Sequence, residues 1–295
     1  MVSYNIFKLS KRRLMVLLTT TALFGFIIWL LNEVVPYRNI WQGFITEEDI
    51  GTYFCEKTFM DKIVRQPVNT FSNFIYWISA IAILRRGWKD QSKRDGNRYN
   101  LVSTNPFYSI LYGGILLYIF CASTFFHSSL IHFASRLDFS AVYSLALFPL
   151  MYYAHRVWLL TIDVPSNVQH TKSTTTVVTL FSLLYVLFTF FTPNGWDDYV
   201  VLGIIVLMSA FGVYVEQKDK GKTNWRYLAI SMASIAFAIM WFAFDIYKIL
   251  CDPDSFIQPH TLWHLFSGIA AFYFYMYIRS ERNNPSQTLP EGKGL

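Results

Sequence analysis

The chain has 295 residues and a formal net charge of +6 at pH 7, and 54% of its residues are hydrophobic, 19% aromatic and 15% charged. Soluble domains carry about 25% charged residues, so this composition excludes an ordinary soluble protein and predicts a polytopic membrane protein. The basic residues lie at the ends of apolar segments. This distribution reports membrane orientation and gives no indication of nucleic-acid binding.

Apolar runs of near-spanning length follow one another along the chain. They are residues 14–35, 68–84, 106–127, 138–154, 175–192, 199–215, 227–249 and 261–278. A helix crosses the hydrocarbon core with roughly 20 residues, and no run shows the sustained alternation typical of a strand. We therefore predict an all-α polytopic transmembrane bundle, with a seven-helix core and one extra N-terminal span.

The first run follows four basic residues, so it is either a retained anchor helix or a cleaved signal peptide. The residues after it, 32–36, lack the small-x-small pattern of a cleavage site, which favours the anchor. Lys and Arg accumulate before this run, in 85–105, in 216–226 and at the C-terminus. With eight spans these four segments lie on one side, so we predict that both termini are cytoplasmic.

Five polar residues lie in or beside the apolar runs at a spacing typical of a metal site: Ser123, His127, Asp138, His260 and His264. Four-residue spacing places Ser123 with His127, and His260 with His264, on one helix face. Ionisable groups are costly in a membrane and usually mark function. Three imidazoles, a carboxylate and a hydroxyl are enough to build a hydrolytic zinc centre. The predicted topology brings all five to one depth, toward the exoplasmic side.

Each of these residues also has a structural interpretation. His127 could hydrogen-bond a neighbouring helix, Asp138 could cap its own helix, and Ser123 could bond the carbonyl one turn back. His132 follows His127 by five residues, which rotates it off the shared face.

The remaining histidines and the cysteines have less specific patterns. We expect His155 and His170 on the surface at the opposite side of the membrane, and Cys121 as a small buried thiol inside the third span. Cys55 precedes the second span and Cys251 follows the seventh, both on the predicted exoplasmic side. A disulfide between them is permitted in an oxidising compartment, and two free thiols are the alternative.

At these residues the chain resembles the alkaline ceramidase family, within the superfamily of seven-helix membrane hydrolases that includes the adiponectin receptors. The superfamily pattern is Ser-x-x-x-His, an Asp at the head of the next helix, and His-x-x-x-His on the last helix. FCEK at 54–57 and NTFSN at 69–73 resemble the N-terminal signature of the ceramidase branch. Trp241 with Asp245, followed by Cys251, resembles its penultimate helix.

The resemblance covers roughly residues 50–280. It leaves 1–49 as an N-terminal anchor helix with an exoplasmic linker, and 281–295 as a polar cytoplasmic tail. It implies that His127, His260 and His264 hold zinc, with Asp138 and Ser123 assisting the chemistry. Other residues are candidates for substrate binding, for orienting a ligand or for a structural contact: Asp245, Trp241, Asn69, Ser72 and Asn73.

The departures from the family pattern concern calcium. Eukaryotic alkaline ceramidases have an acid-rich calcium site before the second span, whereas here Lys57, Thr58 and Gln66 occupy that region and only Glu56 remains acidic. Calcium takes 6–8 oxygen ligands, so we expect no comparable calcium site.

The resemblance implies a zinc-dependent intramembrane amide hydrolase. Its expected substrate is a ceramide-like N-acyl lipid of the membrane, cleaved to a fatty acid and a long-chain base. The alternative is a receptor-like or regulatory membrane protein with a structural zinc site. Transport is disfavoured, because the polar residues gather near one face without a broken helix at the midplane.

Overall fold

A computed structural model describes residues 11–34, 40–44, 53–91, 100–161, 166–192, 196–218 and 223–281. Every regular element within these ranges is a helix, as the hydropathy predicts for a chain that must satisfy its backbone hydrogen bonds inside a membrane.

The helices follow the predicted apolar runs, with ends displaced by a few residues. They are α1 (Lys11–Val34), α2 (Pro67–Ser72), α3 (Phe74–Gln91), α4 (Leu101–Thr104), α5 (Phe107–Ser129), α6 (His132–Thr161), α7 (Ser166–Phe191), α8 (Asp197–Lys218), α9 (Trp225–Ile246) and α10 (Pro259–Ser280). The largest displacement is in α7, which begins nine residues before the expected start at 175, and α6 begins six residues before its expected start at 138. The first turns of both helices are polar, and hydropathy alone does not detect them.

Five helical segments of the described chain are long and apolar enough to cross a membrane: Pro67–Asp90, Phe107–Ser129, His132–Thr161, Tyr199–Lys218 and Trp225–Ile246. Helices α1 and α7 contain the shorter apolar stretches Leu18–Leu30 and Thr176–Thr189. The prediction of an all-α membrane helix bundle is therefore confirmed.

Helix α5 packs between α3 and α6, while α10 packs on α9 and on α3. Two glycines permit these close contacts. A Cβ at Gly113 would lie 2.6 Å from Leu84 Cγ, and a Cβ at Gly268 would lie 2.7 Å from Ile75 Cγ1. The second contact fixes α10 against α3 one turn beyond His264.

The end of the bundle opposite His127 contains a buried polar network. Glu281 accepts hydrogen bonds from Arg156 and from the Tyr152 hydroxyl, the latter at 2.5 Å. His155 is fully buried and hydrogen-bonds Tyr108, so the expectation that it lies on the surface is wrong. Tyr108 lies 47 residues away in the sequence and supplies a polar partner for the imidazole inside the bundle.

Two further expectations concern single side chains. Cys121 is exposed on α5, so the prediction of a buried thiol is wrong. It lies on the face of α5 that turns away from the bundle, and the apolar run around it gave no indication of which face that is. The side chain of His170 lies outside the described part of the structure.

Candidate active site

The elements that carry the histidines end or begin at the site. Helix α5 ends at Ser129, and Leu130 follows in a left-handed conformation with φ 50°. This turn allows α6 to start at His132 and return along α5, so Asp138 comes back beside the last turns of α5. Helix α10 starts with Pro259 at its first position, a residue favoured there because its fixed φ suits a helix start.

His127, His260 and His264 meet inside the bundle. Their ring centroids are 4.9 Å apart for His127 and His260, 5.2 Å for His127 and His264, and 4.6 Å for His260 and His264. All three side chains are buried, and one ligand atom from each lies within 4.8 Å of the others. The sequence spacing alone places only His260 beside His264, so the fold adds His127.

Each imidazole has a partner for its Nδ1 atom. The Nδ1 of His127 lies 2.9 Å from Gln66 Oε1, and the Nδ1 of His260 lies 3.2 Å from Asp245 Oδ2. For His264 the partner is Ser72 Oγ at 2.6 Å.

These partners assign the ring protons. The amide oxygen and the carboxylate only accept, and Ser72 donates its own proton to the Asn69 carbonyl at 2.7 Å. The Nδ1 atoms of His127 and His264 therefore carry their hydrogens, which leaves their Nε2 atoms with free lone pairs. The Nδ1 of His260 makes no hydrogen bond within the described residues, but the carboxylate 3.2 Å away favours a hydrogen on that nitrogen as well. The Nε2 of His127 is buried without a hydrogen-bond partner, which is the state expected of a nitrogen that serves as a metal ligand.

Two residues at this site were missed as functional candidates. The sequence indicates Gln66 only as a departure from the calcium pattern, yet its side chain contacts His127 Nδ1 and its backbone N–H donates to the His127 carbonyl at 3.1 Å. The Phe54 ring lies against two of the imidazoles, with centroids 5.1 Å from His127 and 4.5 Å from His260. No spacing in the sequence connects 66 with 127, while the FCEK resemblance could have suggested Phe54.

Asp138 on α6 and Ser123 on α5 form a second polar pair. The Ser123 hydroxyl hydrogen-bonds the Asp138 carboxylate. Ser123 is buried, whereas Asp138 remains partly exposed. The Ser123 hydroxyl, one helical turn before His127 on α5, thus holds the Asp138 carboxylate in place.

The remaining candidates differ in where the structure places them. Asp245 and Ser72 contact histidines directly, as described above. Asn69 joins α2 to α10 by accepting from Thr261 Oγ1 at 3.3 Å. Asn73 donates to the Asn69 carbonyl at 3.2 Å, and its buried Oδ1 has no hydrogen-bond partner. The indole of Trp241 packs on Phe244 with centroids 5.4 Å apart, and the structure does not bring it into the histidine cluster.

Cys55 and Cys251 form a disulfide with a Cα–Cα distance of 5.5 Å, which confirms the predicted pairing. The backbone N–H of Cys55 donates to Asp245 Oδ1 at 2.8 Å. The disulfide therefore lies one contact away from the residue that orients His260, and it ties the segment before α2 to the loop before α10.

Glu56 lies in the region where the resemblance implies a calcium site in eukaryotic alkaline ceramidases. Its two carboxylate oxygens accept from the backbone N–H groups of Val68 at 2.7 Å and Asn69 at 2.8 Å. Burial raises the pKa of Glu56 to about 7, against the lowering effect of these two hydrogen bonds. Beside it, the Gln66 amide donates to Thr58 Oγ1 at 3.3 Å. Hydrogen bonds within the chain thus occupy both oxygens of the remaining acid.

Fold and site together define an integral membrane helix bundle with three buried, convergent histidines placed to hold a metal ion. The family model for ceramidase matches residues 51–290, so the chain belongs to the ceramidase family. No curated protein sequence matches the chain. Family membership makes the protein a hydrolase of the ceramidase type, and its substrate is a lipid of the ceramide class.

Proposed function

We propose that the protein is a zinc-dependent amide hydrolase that works within the membrane. It would cleave a ceramide-like N-acyl lipid to a fatty acid and a long-chain base. The observation that carries the proposal is the orientation of the three imidazoles. The Nδ1 atoms of His127 and His264 are hydrogen-bonded to protein side chains and that of His260 faces the Asp245 carboxylate, so the Nε2 atoms are the ones available to a metal within one family-matched cluster.

The residues present fit a zinc ion. Three imidazole nitrogens with a position left open are a ligand set typical of catalytic zinc, and a carboxylate beside the Nδ1, as Asp245 is beside His260, is a usual partner of a metal-bound histidine. His127, His260 and His264 would hold the ion through their Nε2 atoms. A bound zinc ion supplies Lewis-acid chemistry, lowering the pKa of water and polarising a carbonyl group.

Asp138 is the proposed general base and acid. Its carboxylate is partly exposed and is held by the Ser123 hydroxyl, so it can take the proton of the attacking water. The water oxygen bonds to the amide carbon, the carbon–nitrogen bond breaks, and Asp138 returns the proton to the leaving amine. Atoms and protons balance with water as the only co-substrate.

Ser123 has two proposed roles, and a single variant tests them together. It holds the Asp138 carboxylate, and it is proposed to donate to the developing oxyanion when substrate is bound. Ser123→Ala should therefore lower kcat, and an unchanged kcat would remove both roles.

Polar groups at the start of α2 and α3 are proposed to contact the substrate headgroup. Asn73 supports this best, since its Oδ1 is buried without a hydrogen-bond partner among the described residues. Asn69 and Ser72 have protein partners and are proposed to support the site, as is Asp245. For Trp241, a direct substrate contact rests on the family resemblance alone.

The site is proposed to face the exoplasmic side, with both termini cytoplasmic. The Cys55–Cys251 disulfide supports this, because disulfides persist in oxidising compartments and this one lies at the histidine end of the bundle. Lys89 and Arg279 lie in the last turns of α3 and α10, at the other end, as expected for the cytoplasmic side.

The test combines metal analysis with turnover. Purified protein should contain one zinc per chain and hydrolyse ceramide in a panel of N-acyl lipids. His264→Ala should lose the metal, and Asp138→Asn should keep it while losing turnover. His132→Ala is the matched control, since this histidine is exposed at the start of α6 and outside the cluster.

The two failures of this test differ in meaning. Zinc-loaded protein that hydrolyses no N-acyl lipid would favour the receptor-like alternative. Protein that binds no zinc under any condition would end the proposed mechanism.

A further inference from the structure

We propose that the N-terminal segment acts as a positioning element of the active site, in addition to anchoring the chain. This segment is α1 together with the turn at 40–44, and it precedes the part of the chain that the ceramidase family covers. We refer to it as the N-terminal arm. The proposal rests on the metal site of the proposed function. It concerns the contacts that hold His127, one of the three proposed ligands, in place.

The arm makes three polar contacts with consecutive residues of one loop. The Oδ1 of Asn32 accepts from the Val64 N–H at 2.9 Å, and Trp41 Nε1 donates to the Ile63 carbonyl at 2.9 Å. Glu33 pairs with Lys62 at 3.0 Å. A helix that serves only as a lipid anchor has no need of directional contacts to the backbone of a particular loop.

The same loop continues directly into the residue that orients His127. Arg65 donates its backbone N–H to Ser128 O at 3.0 Å and its guanidinium to Ser129 O at 2.6 Å. Gln66 then donates its backbone N–H to the His127 carbonyl and accepts from His127 Nδ1. The loop at 62–66 is thus held by the arm on one side and holds the end of α5 on the other.

Aromatic contacts also hold the arm against the bundle, in addition to its polar contacts with the loop. The Phe24 ring lies 6.0 Å from Phe74, 6.2 Å from Trp77 and 6.1 Å from Phe120, measured between centroids. The Trp41 ring lies 5.8 Å from that of Phe125. The arm therefore packs on α3 and on α5, and α5 carries His127.

The physical consequence concerns the His127 tautomer. Val64 is buried, so its N–H needs a partner, and removal of the Asn32 oxygen leaves that group unsatisfied unless the loop moves. Movement of the loop carries Gln66 with it. His127 then loses the acceptor that keeps the proton on Nδ1, and its Nε2 becomes a poorer metal ligand.

Four variants of the full-length protein test this chain of contacts. Asn32→Leu removes the Val64 acceptor, and Trp41→Phe removes one N–H while keeping an aromatic ring. Gln66→Leu removes the His127 acceptor, and Gln66→Glu keeps an acceptor oxygen. The matched control is Trp29→Phe, the same substitution on an exposed face of α1, where Trp29 contacts Phe26.

Two measurements are made on each variant: hydrogen–deuterium exchange of the 59–66 peptide, and zinc affinity by chelator competition. Loss of a partner of a metal-bound histidine costs about 10–100-fold in metal affinity, so we expect that range for Gln66→Leu and substantial recovery in Gln66→Glu. We expect Asn32→Leu and Trp41→Phe to speed exchange of the peptide and to weaken zinc binding by about three- to tenfold, a smaller effect because it is indirect. Trp29→Phe should change neither quantity.

The possible negative results are distinct. Unchanged exchange in Asn32→Leu and Trp41→Phe would show that the arm does not hold the loop, and faster exchange with unchanged zinc affinity would show that the loop does not act on the site. Either result overturns the inference while leaving the proposed function intact. Wild-type protein that binds no zinc would overturn both.

Discussion

Asp245→Asn isolates the effect of proton placement on a metal ligand. In the wild-type chain one carboxylate oxygen accepts from the Cys55 N–H at 2.8 Å, and the other lies 3.2 Å from His260 Nδ1. The asparagine has the same shape and can keep its oxygen on Cys55. Its amide nitrogen then faces His260, so two donors meet where a donor and an acceptor met before.

The imidazole can relieve this conflict only by changing its tautomer or by turning. With the proton moved to Nε2, His260 no longer offers a lone pair to the cluster. Loss of such a partner typically costs about 10–100-fold in metal affinity, equivalent to about 1.4–2.7 kcal/mol at about 1.36 kcal/mol per tenfold. Asp245 is fully buried, so solvent does not screen the interaction.

The assay is competition for zinc between the purified protein and a chelator of known affinity. The control is Asp254→Asn, which removes the same charge from an exposed carboxylate paired with Lys57 at 3.0 Å, a kind of pair that contributes little. We expect weakened zinc binding only in Asp245→Asn. Thermal denaturation should show that both variants are folded. Zinc affinity within about twofold of wild type in folded Asp245→Asn would refute the assigned tautomers.

Three further predictions concern the scaffold around the site. Peptide mapping without reduction should yield a Cys55–Cys251 linked peptide, and replacing both residues with Ser should lower stability by about 2–5 kcal/mol, read from denaturant or thermal unfolding. Gly268→Ala should destabilise the protein by about 1–3 kcal/mol, because its Cβ would overlap Ile75; unchanged thermal stability would show that α10 is not held this closely to α3. The raised pKa of Glu56, about 7, means that the folded state holds its proton more tightly, so its contribution to stability is present below about pH 4.5 and is lost as pH rises through about 7. Glu56→Gln should flatten this decline between pH 5 and 8 in unfolding measurements, and a wild-type stability that rises over the same window would contradict the assignment.

The sequence by itself determined the class of the fold and most of the chemistry-bearing side chains. Apolar runs of spanning length lie on helices because backbone groups in a membrane must be bonded within the same segment. Four-residue spacing fixed His260 beside His264, because residues one turn apart share a helix face. The paired cysteines also followed from the sequence, once the loops had been assigned to one side by charge.

Tertiary structure alone decided which side chain contacts the Nδ1 atom of each imidazole. His127 is separated from Gln66 by 61 residues, and His264 from Ser72 by 192 residues. No local periodicity extends over such distances, and the surroundings of His155 were misjudged for the same reason. A hydrogen bond depends on the relative position of two elements to within a few tenths of an ångström. Helix packing sets that position, through contacts such as the one that Gly268 makes with Ile75. The pattern of apolar residues along each helix does not determine how the helices pack.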